Sequence, residues 1–106
     1  MTGEVEIAVL TGAFTARPER VGDLAAVLAR YVVLTRGEPG CRNVDLLTSA
    51  TESGRFVVIE KWATPDDARA HLDTEVMATM AAAAVPLLAE QPRIDLLDTI
   101  SAHDLE

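Results

Sequence analysis

Glu60, Trp62 and His71 are side chains of types that together could move a proton and hold a flat ligand. An imidazole titrates at about pH 6.5 and needs little tuning to abstract a proton at neutral pH. A carboxylate becomes a better base when burial raises its pKa, and an indole offers a broad apolar wall with one N–H donor. Glu60 and Trp62 close the run Arg55-Phe56-Val57-Val58-Ile59-Glu60-Lys61-Trp62, in which a period of two puts both on one face with Phe56 and Val58. His71 follows in Ala70-His71-Leu72, and Met77 and Met80 recur beyond it at helical spacing. Each candidate also has a plain structural role. Trp62 can be a core aromatic, and Met77 and Met80 can fill core gaps as readily as line an adaptable pocket. His71 can bond a carboxylate such as Glu60 or Glu75. Glu60 can pair with an arginine, even across a dimer, because a buried acid without a partner costs several kcal/mol. Arg42 and Arg55 are oxyanion partners only if the fold turns them inward.

The elements that must position these groups follow from periodicity and punctuation. Residues 4–15, rich in Val, Ile, Leu and Thr, predict a first strand. Arg17-Pro18-Glu19 breaks it and opens a helix with Val21, Leu24, Ala25, Leu28, Tyr31 and Val32 on its apolar stripe. Gly37, Pro39 and Gly40 end that helix. Residues 42–49 and 55–63 predict a hairpin joined by Glu52-Ser53-Gly54. Thr64-Pro65-Asp66-Asp67 has the form of a helix start, with Thr as N-cap, Pro at the first helical position and acids in the first turn. Asp73-Thr74 reads as a second start, and the stripe Val76, Met77, Met80, Ala81 and Ala84 runs on to Pro86, the four alanines 81–84 allowing close backbone approach. Residues 93–100 predict a last strand. The order strand, helix, strand, strand, helix, strand is the ferredoxin-like α+β arrangement with an antiparallel sheet. Its helices cover one sheet face and leave the other apolar, which predicts a face-to-face homodimer.

Composition narrows the function. The 106 residues make one domain, which buries roughly 65% of the surface its unfolded chain exposes. At 49% hydrophobic and 25% charged it is an ordinary globule. A formal charge of -8 with no basic cluster argues against nucleic acid. No apolar run approaches a membrane span and the start lacks a basic n-region, so no membrane contact and a cytoplasmic location are expected. Cys41 is the only cysteine, which excludes an internal disulfide and reads as a small buried filler. His103, beside Asp104, is expected in solvent. There is no phosphate loop, Cys/His cluster, nucleophile elbow or dinucleotide fingerprint, so no cofactor and no metal are expected.

Three strings in order, Glu38-Pro39-Gly40-Cys41, then Arg55 through Trp62 after Gly54, then Ala70-His71-Leu72, resemble the antibiotic biosynthesis monooxygenase (ABM) family across nearly the whole chain. The resemblance implies a dimeric α+β barrel and cofactor-independent oxidation of a quinol or polyphenol by O2. In quinol-oxidising members a Trp at the end of this strand lines the pocket, and Trp62 matches it. The polar residues those members add are replaced here by Val58, Ala68 and the alanine run, and Glu75-Val76 stands where many carry a second histidine. The iron-binding histidine of haem-degrading relatives falls at Met80-Ala81-Ala82. The leading expectation is therefore a quinol monooxygenase with His71 or Glu60 as base and Trp62, Phe56, Val58, Met77 and Met80 around an aromatic substrate. Two alternatives stand beside it: a non-catalytic ligand-binding or stress-associated dimer, and an isomerase of small phosphorylated sugars.

Overall fold

The structure, a computed structural model, describes residues 7–101. Four strands, β1 (Ala8–Thr15), β2 (Cys41–Thr48), β3 (Arg55–Trp62) and β4 (Arg93–Leu97), form one antiparallel sheet in the order β2-β3-β1-β4. Helices α1 (Val21–Thr35), α2 (Pro65–Leu72) and α3 (Glu75–Ala84) cover one face of it. This is the ferredoxin-like α+β fold that the order of elements predicts.

Local chemistry explains where the elements start and stop. Pro18 opens a single 3-10 turn, Pro18–Arg20, before α1 begins. The side chains buried along α1 are Leu24, Leu28, Tyr31, Val32 and Thr35, a stripe with one phenol and one hydroxyl among aliphatics. The turn after α1 needs Gly40, whose φ of +81° is open to glycine and strained for other residues. A Cβ at Gly40 would also collide with the Asp67 side chain, so this turn packs directly on the first turn of α2. Thr64 caps α2 by accepting from the Asp67 N–H at 3.0 Å. Thr74 caps α3 by accepting from Met77 N–H, while its own hydroxyl donates to the His71 carbonyl at 2.8 Å. That pair of bonds fixes the end of α2, where His71 sits, to the start of α3.

Three expectations are corrected. The last strand ends at Leu97 and not at residue 100, because its pairing with β1 stops at Val9; beyond it the Thr99 hydroxyl bonds the Ile7 carbonyl. The first strand begins at Ala8, and residues 4–6, like His103, lie outside the described residues. Of the alanine run only Ala84 is buried; residues 81–83 face outward, so the run does not serve close helix packing along its length.

The uncovered sheet face is also different from expectation. Register puts Val9, Ala13, Val57, Ile59, Leu47 and Leu97 on it, but with Thr11, Asp45, Arg55, Lys61, Arg93 and Asp95 interspersed. The face has an apolar centre within a charged border. A period of two guarantees only that one face escapes the helices; it does not make that face uniformly apolar.

A buried Tyr-Glu-His-Trp cluster beside an open cavity

On β3 the alternation predicted from sequence holds: Phe56, Val58, Glu60 and Trp62 are all buried against the helices. Glu60 faces the helix side across from Leu10 of β1, and Trp62 faces Ala8. Trp62 has no exposed surface and packs with Ala8, Leu10, Ala68 and half-buried Cys41 and Leu72. Phe56 and Val58 belong to the main core with Leu24, Leu28, Val32 and Met80.

Glu60 is 3% exposed, and both its oxygens are engaged. Oε2 accepts from the Tyr31 hydroxyl at 2.5 Å and Oε1 accepts from the Trp62 indole N–H at 3.0 Å. No arginine is among these partners, so the expected arginine pair gives way to a phenol and an indole. His71, 1% exposed, places Nε2 2.6 Å from the Tyr31 hydroxyl and 3.4 Å from Glu60 Oε1. Its Nδ1 lies 2.7 Å from Glu38 Oε1 in the turn after α1. The ring stacks on Trp62 with centroids 4.7 Å apart and planes at 30°. Of the two partners proposed for His71, Glu60 is close; Glu75 lies instead along an outer cavity.

The sequence-based candidates thus divide. Glu60, Trp62 and His71 converge, joined by Tyr31 and Glu38, which sequence reasoning had placed only on a core stripe and in a turn. Both carried a signal: Tyr31 is the only tyrosine, sitting on an aliphatic stripe, and Glu38 precedes the Pro-Gly that forms the turn. Arg55 points outward and pairs with Glu52 at 2.8 Å, far from the cluster in register. Arg42 sits at the bulge that opens β2 opposite β3.

A cavity of about 270 Å³ lies between α1 and α3, lined by Val27, Arg30, Tyr31, Leu34, Val76 and Met80 among others, with Glu75 and Thr79 at its polar side. Tyr31 belongs to both the cavity wall and the buried cluster. On the far side of α3, Met77 and Met80 border a smaller apolar cavity of about 90 Å³ with Phe14, Ala84, Leu88 and Ile94. Trp62, Phe56 and Val58 line neither; they stand behind the cavity wall, in the core. Among the described residues no three His, Cys, Asp or Glu side chains are arranged to hold a metal ion, and no helix is long and apolar enough to cross a membrane.

Burial, the Glu60 charge and the hydrogen bond to that carboxylate hold the Tyr31 hydroxyl well above the usual phenol range. Burial, followed by the charges of Glu60 and Glu38, likewise lifts the Cys41 thiol. The raised phenol has a definite sign in stability. In the unfolded chain Tyr31 ionises near its ordinary value of 10.0, while the folded chain keeps the proton. The stabilisation is therefore complete below that pH and falls above it by about 1.4 kcal/mol per pH unit. Because Tyr31 is the only tyrosine, phenolate absorbance reports it alone. The expected result is no phenolate signal until the protein unfolds in alkali; a phenolate forming near the ordinary value in folded protein would contradict the burial argument.

Comparison with known proteins agrees with this architecture. Residues 7–83 match the family model described as antibiotic biosynthesis monooxygenase. A Nitrosomonas europaea structure assigned to that family superposes with a TM-score of 0.85 at 20% identity, over 98% of this chain and 100% of the other. A Caulobacter crescentus structure with the same assignment gives 0.81 at 25% identity, over 92% and 94%. A Pseudomonas aeruginosa protein gives 0.80 at 27% identity, over 91% and 96%. No functionally curated protein is similar enough to match.

Proposed function

The chain belongs to the antibiotic biosynthesis monooxygenase family, and from that premise we propose that it oxidises a small quinol or polyphenol with O2 without a cofactor. The observation that carries the reading is Tyr31: the one side chain shared by the α1–α3 cavity and the buried Glu60-His71-Trp62 cluster. At about 270 Å³ the cavity is near the lower end of ligand pockets, roughly 300–1,000 Å³, and its apolar wall with a few polar groups suits a compact aromatic.

The chemistry needs little from the protein. Removing a phenolic proton makes the ring electron-rich enough to reduce O2 directly. A ring carbon then bonds one oxygen atom, the C–H proton is lost, and the O–O bond breaks to release water. The quinol plus O2 becomes a hydroxyquinone plus H2O, with all four electrons taken from the substrate. Tyr31, with Glu60 and His71 behind it, supplies the proton acceptor; Val27, Leu34, Val76 and Met80 exclude water. Trp62 and Val58 act from behind, Trp62 by holding the His71 ring and the Glu60 carboxylate in place.

A second reading, a non-catalytic binder of a small apolar ligand, is supported by the complete burial of Trp62, which leaves no indole face for a substrate to stack on. Oxygen uptake by purified, chelator-treated protein, measured with quinols and anthrones, separates the two. The expected result is consumption of one O2 per molecule oxidised, with one ¹⁸O atom from labelled O2 in the product. Ligand-induced quenching of Trp62 without oxygen uptake would instead establish the binder.

We also propose a homodimer formed through the uncovered sheet face, whose apolar centre of Val9, Val57, Ile59 and Leu97 is bordered by charges of both signs. Sedimentation at micromolar concentration should give a dimer that Ile59→Glu converts to monomer. A wild-type protein that is folded and monomeric would remove this part of the proposal.

A further inference from the structure

Four side chains form an unbroken chain of short polar contacts: Glu60 Oε2 to the Tyr31 hydroxyl at 2.5 Å, that hydroxyl to His71 Nε2 at 2.6 Å, and His71 Nδ1 to Glu38 Oε1 at 2.7 Å. Two heavy atoms held this closely need a hydrogen between them, so three contacts need three hydrogens. A phenol supplies one and a neutral imidazole one. Two carboxylates supply none. The geometry is complete only with one proton more than a neutral histidine and two ionised glutamates provide.

The surroundings favour that extra proton. His71 is flanked by Tyr31 from α1 and by Glu38 and Glu60 from the turn and β3; the Cys41 thiol of β2 feels the charges of both glutamates. Arg36, whose charge acts on Cys41, has its guanidinium occupied by the Val44 carbonyl at 3.0 Å, and Glu75 of α3 stays on the outer cavity. The short contacts of His71 are thus to one carboxylate and to a phenol that itself bonds a second carboxylate. The two ends of the chain also differ. Glu60 is sealed, whereas the Glu38 side chain is 15% exposed and its second oxygen has no hydrogen-bond partner among the described residues.

We propose that Glu38, His71, Tyr31 and Glu60 are a proton relay that stores one shared proton, with His71 as imidazolium, and that Glu38 is its outlet to solvent. The role in turnover rests on the oxygenase reading above. In that role the substrate O–H bond breaks as a new O–H bond forms at Tyr31, and the proton Tyr31 already held passes to Glu60. His71 gives its Nδ1 proton to Glu38, which loses it to water, and stays neutral with its remaining proton on Nε2. When the O–O bond breaks, Glu60 returns its proton through Tyr31 to the departing oxygen, and His71 regains its Nδ1 proton from water through Glu38, so the relay ends with the protons it began with and no electrons move through it. Glu38 is a positioning and proton-transfer residue and need not touch the substrate.

The test is a count of ring protons. In ¹⁵N-histidine-labelled protein at neutral pH, His71 should carry two N–H protons in the wild type and one in Glu38→Gln, whose amide oxygen can hold the ring but cannot draw a second proton onto it. Trp62, the only tryptophan and stacked on His71, gives a second readout: an imidazolium quenches indole emission, so the variant should be brighter. One ring proton in the wild type, or two in both proteins, overturns the proposal, and the wild-type count stands even if the variant fails to fold. In oxygen uptake Glu38→Gln should slow kcat about tenfold or more with KM unchanged, and added acetate should restore the rate. Slowing that acetate does not relieve would reduce Glu38 to a structural part. The proton count uses no substrate, so it holds or fails separately from the oxygenase reading.

Discussion

Glu60→Ala is expected to destabilise the folded protein by about 3–5 kcal/mol, as removal of one member of a buried charged network does. The carboxylate receives the Tyr31 hydroxyl and the Trp62 indole N–H, with His71 Nε2 at 3.4 Å. Truncation leaves those donors facing one another across a void in a region with almost no solvent access, and each unpaired buried donor costs about 1–3 kcal/mol. For a domain of this size about 1 kcal/mol lowers Tm by roughly 4–8 °C, so the loss should exceed about 12 °C. Glu60→Gln gives the graded control. Its single oxygen can serve either Tyr31 or Trp62 but not both, which predicts an intermediate loss of about 1–3 kcal/mol. Urea unfolding followed by Trp62 emission measures both. If Glu60→Ala falls within about 1 kcal/mol of wild type, Glu60 does not anchor the cluster, and the network argument loses its centre.

That Glu60, Trp62 and His71 belong together was legible because each carries a local signal. A strict alternation over residues 55–62 commits Glu60 and Trp62 to one face, and the Thr64-Pro65 cap fixes the helix phase that turns His71 inward. Gly40 and Gly54, both at positive φ, mark the turn into β2 and the turn that joins β2 to β3. What no local signal encodes is which side chain arrives from elsewhere. Tyr31 lies 29 residues before Glu60, and Glu38 33 residues before His71; their contacts depend on the packing of α1 across the sheet and on the Gly40 turn closing against Asp67. The resemblance to a quinol-oxidising pocket also drew attention to Trp62 as a wall for substrate. In this chain the indole is covered by Ala8, Leu10 and Ala68, and the nearest cavity wall is Tyr31, one layer further out. The reading of the uncovered face failed for a related reason: alternation assigns residues to a face, whereas the charge border emerges only when β2, β3, β1 and β4 are set in register.

Tyr31→Phe is expected to lower kcat for quinol oxidation by about 10²–10⁴-fold while leaving KM within a few-fold of wild type. The substitution keeps the ring that lines the α1–α3 cavity, so the volume and apolar wall offered to substrate persist. It removes the oxygen through which that wall reaches Glu60 at 2.5 Å and His71 at 2.6 Å. Elsewhere on the cavity wall Arg30 donates only, and Glu75 and Thr79 make no contact with the buried chain that would carry a proton onward. The variant should therefore bind and fail to deprotonate, and supplying the substrate at a pH where it is already ionised should recover part of the rate. Some stability is also lost, because Glu60 Oε2 and His71 Nε2 lose a shared partner; measuring rates well below the variant's Tm separates that loss from the kinetic one. Wild-type kcat in Tyr31→Phe, with the protein folded, would mean that the substrate proton leaves by another route and that the cavity and the cluster are neighbours without a common reaction.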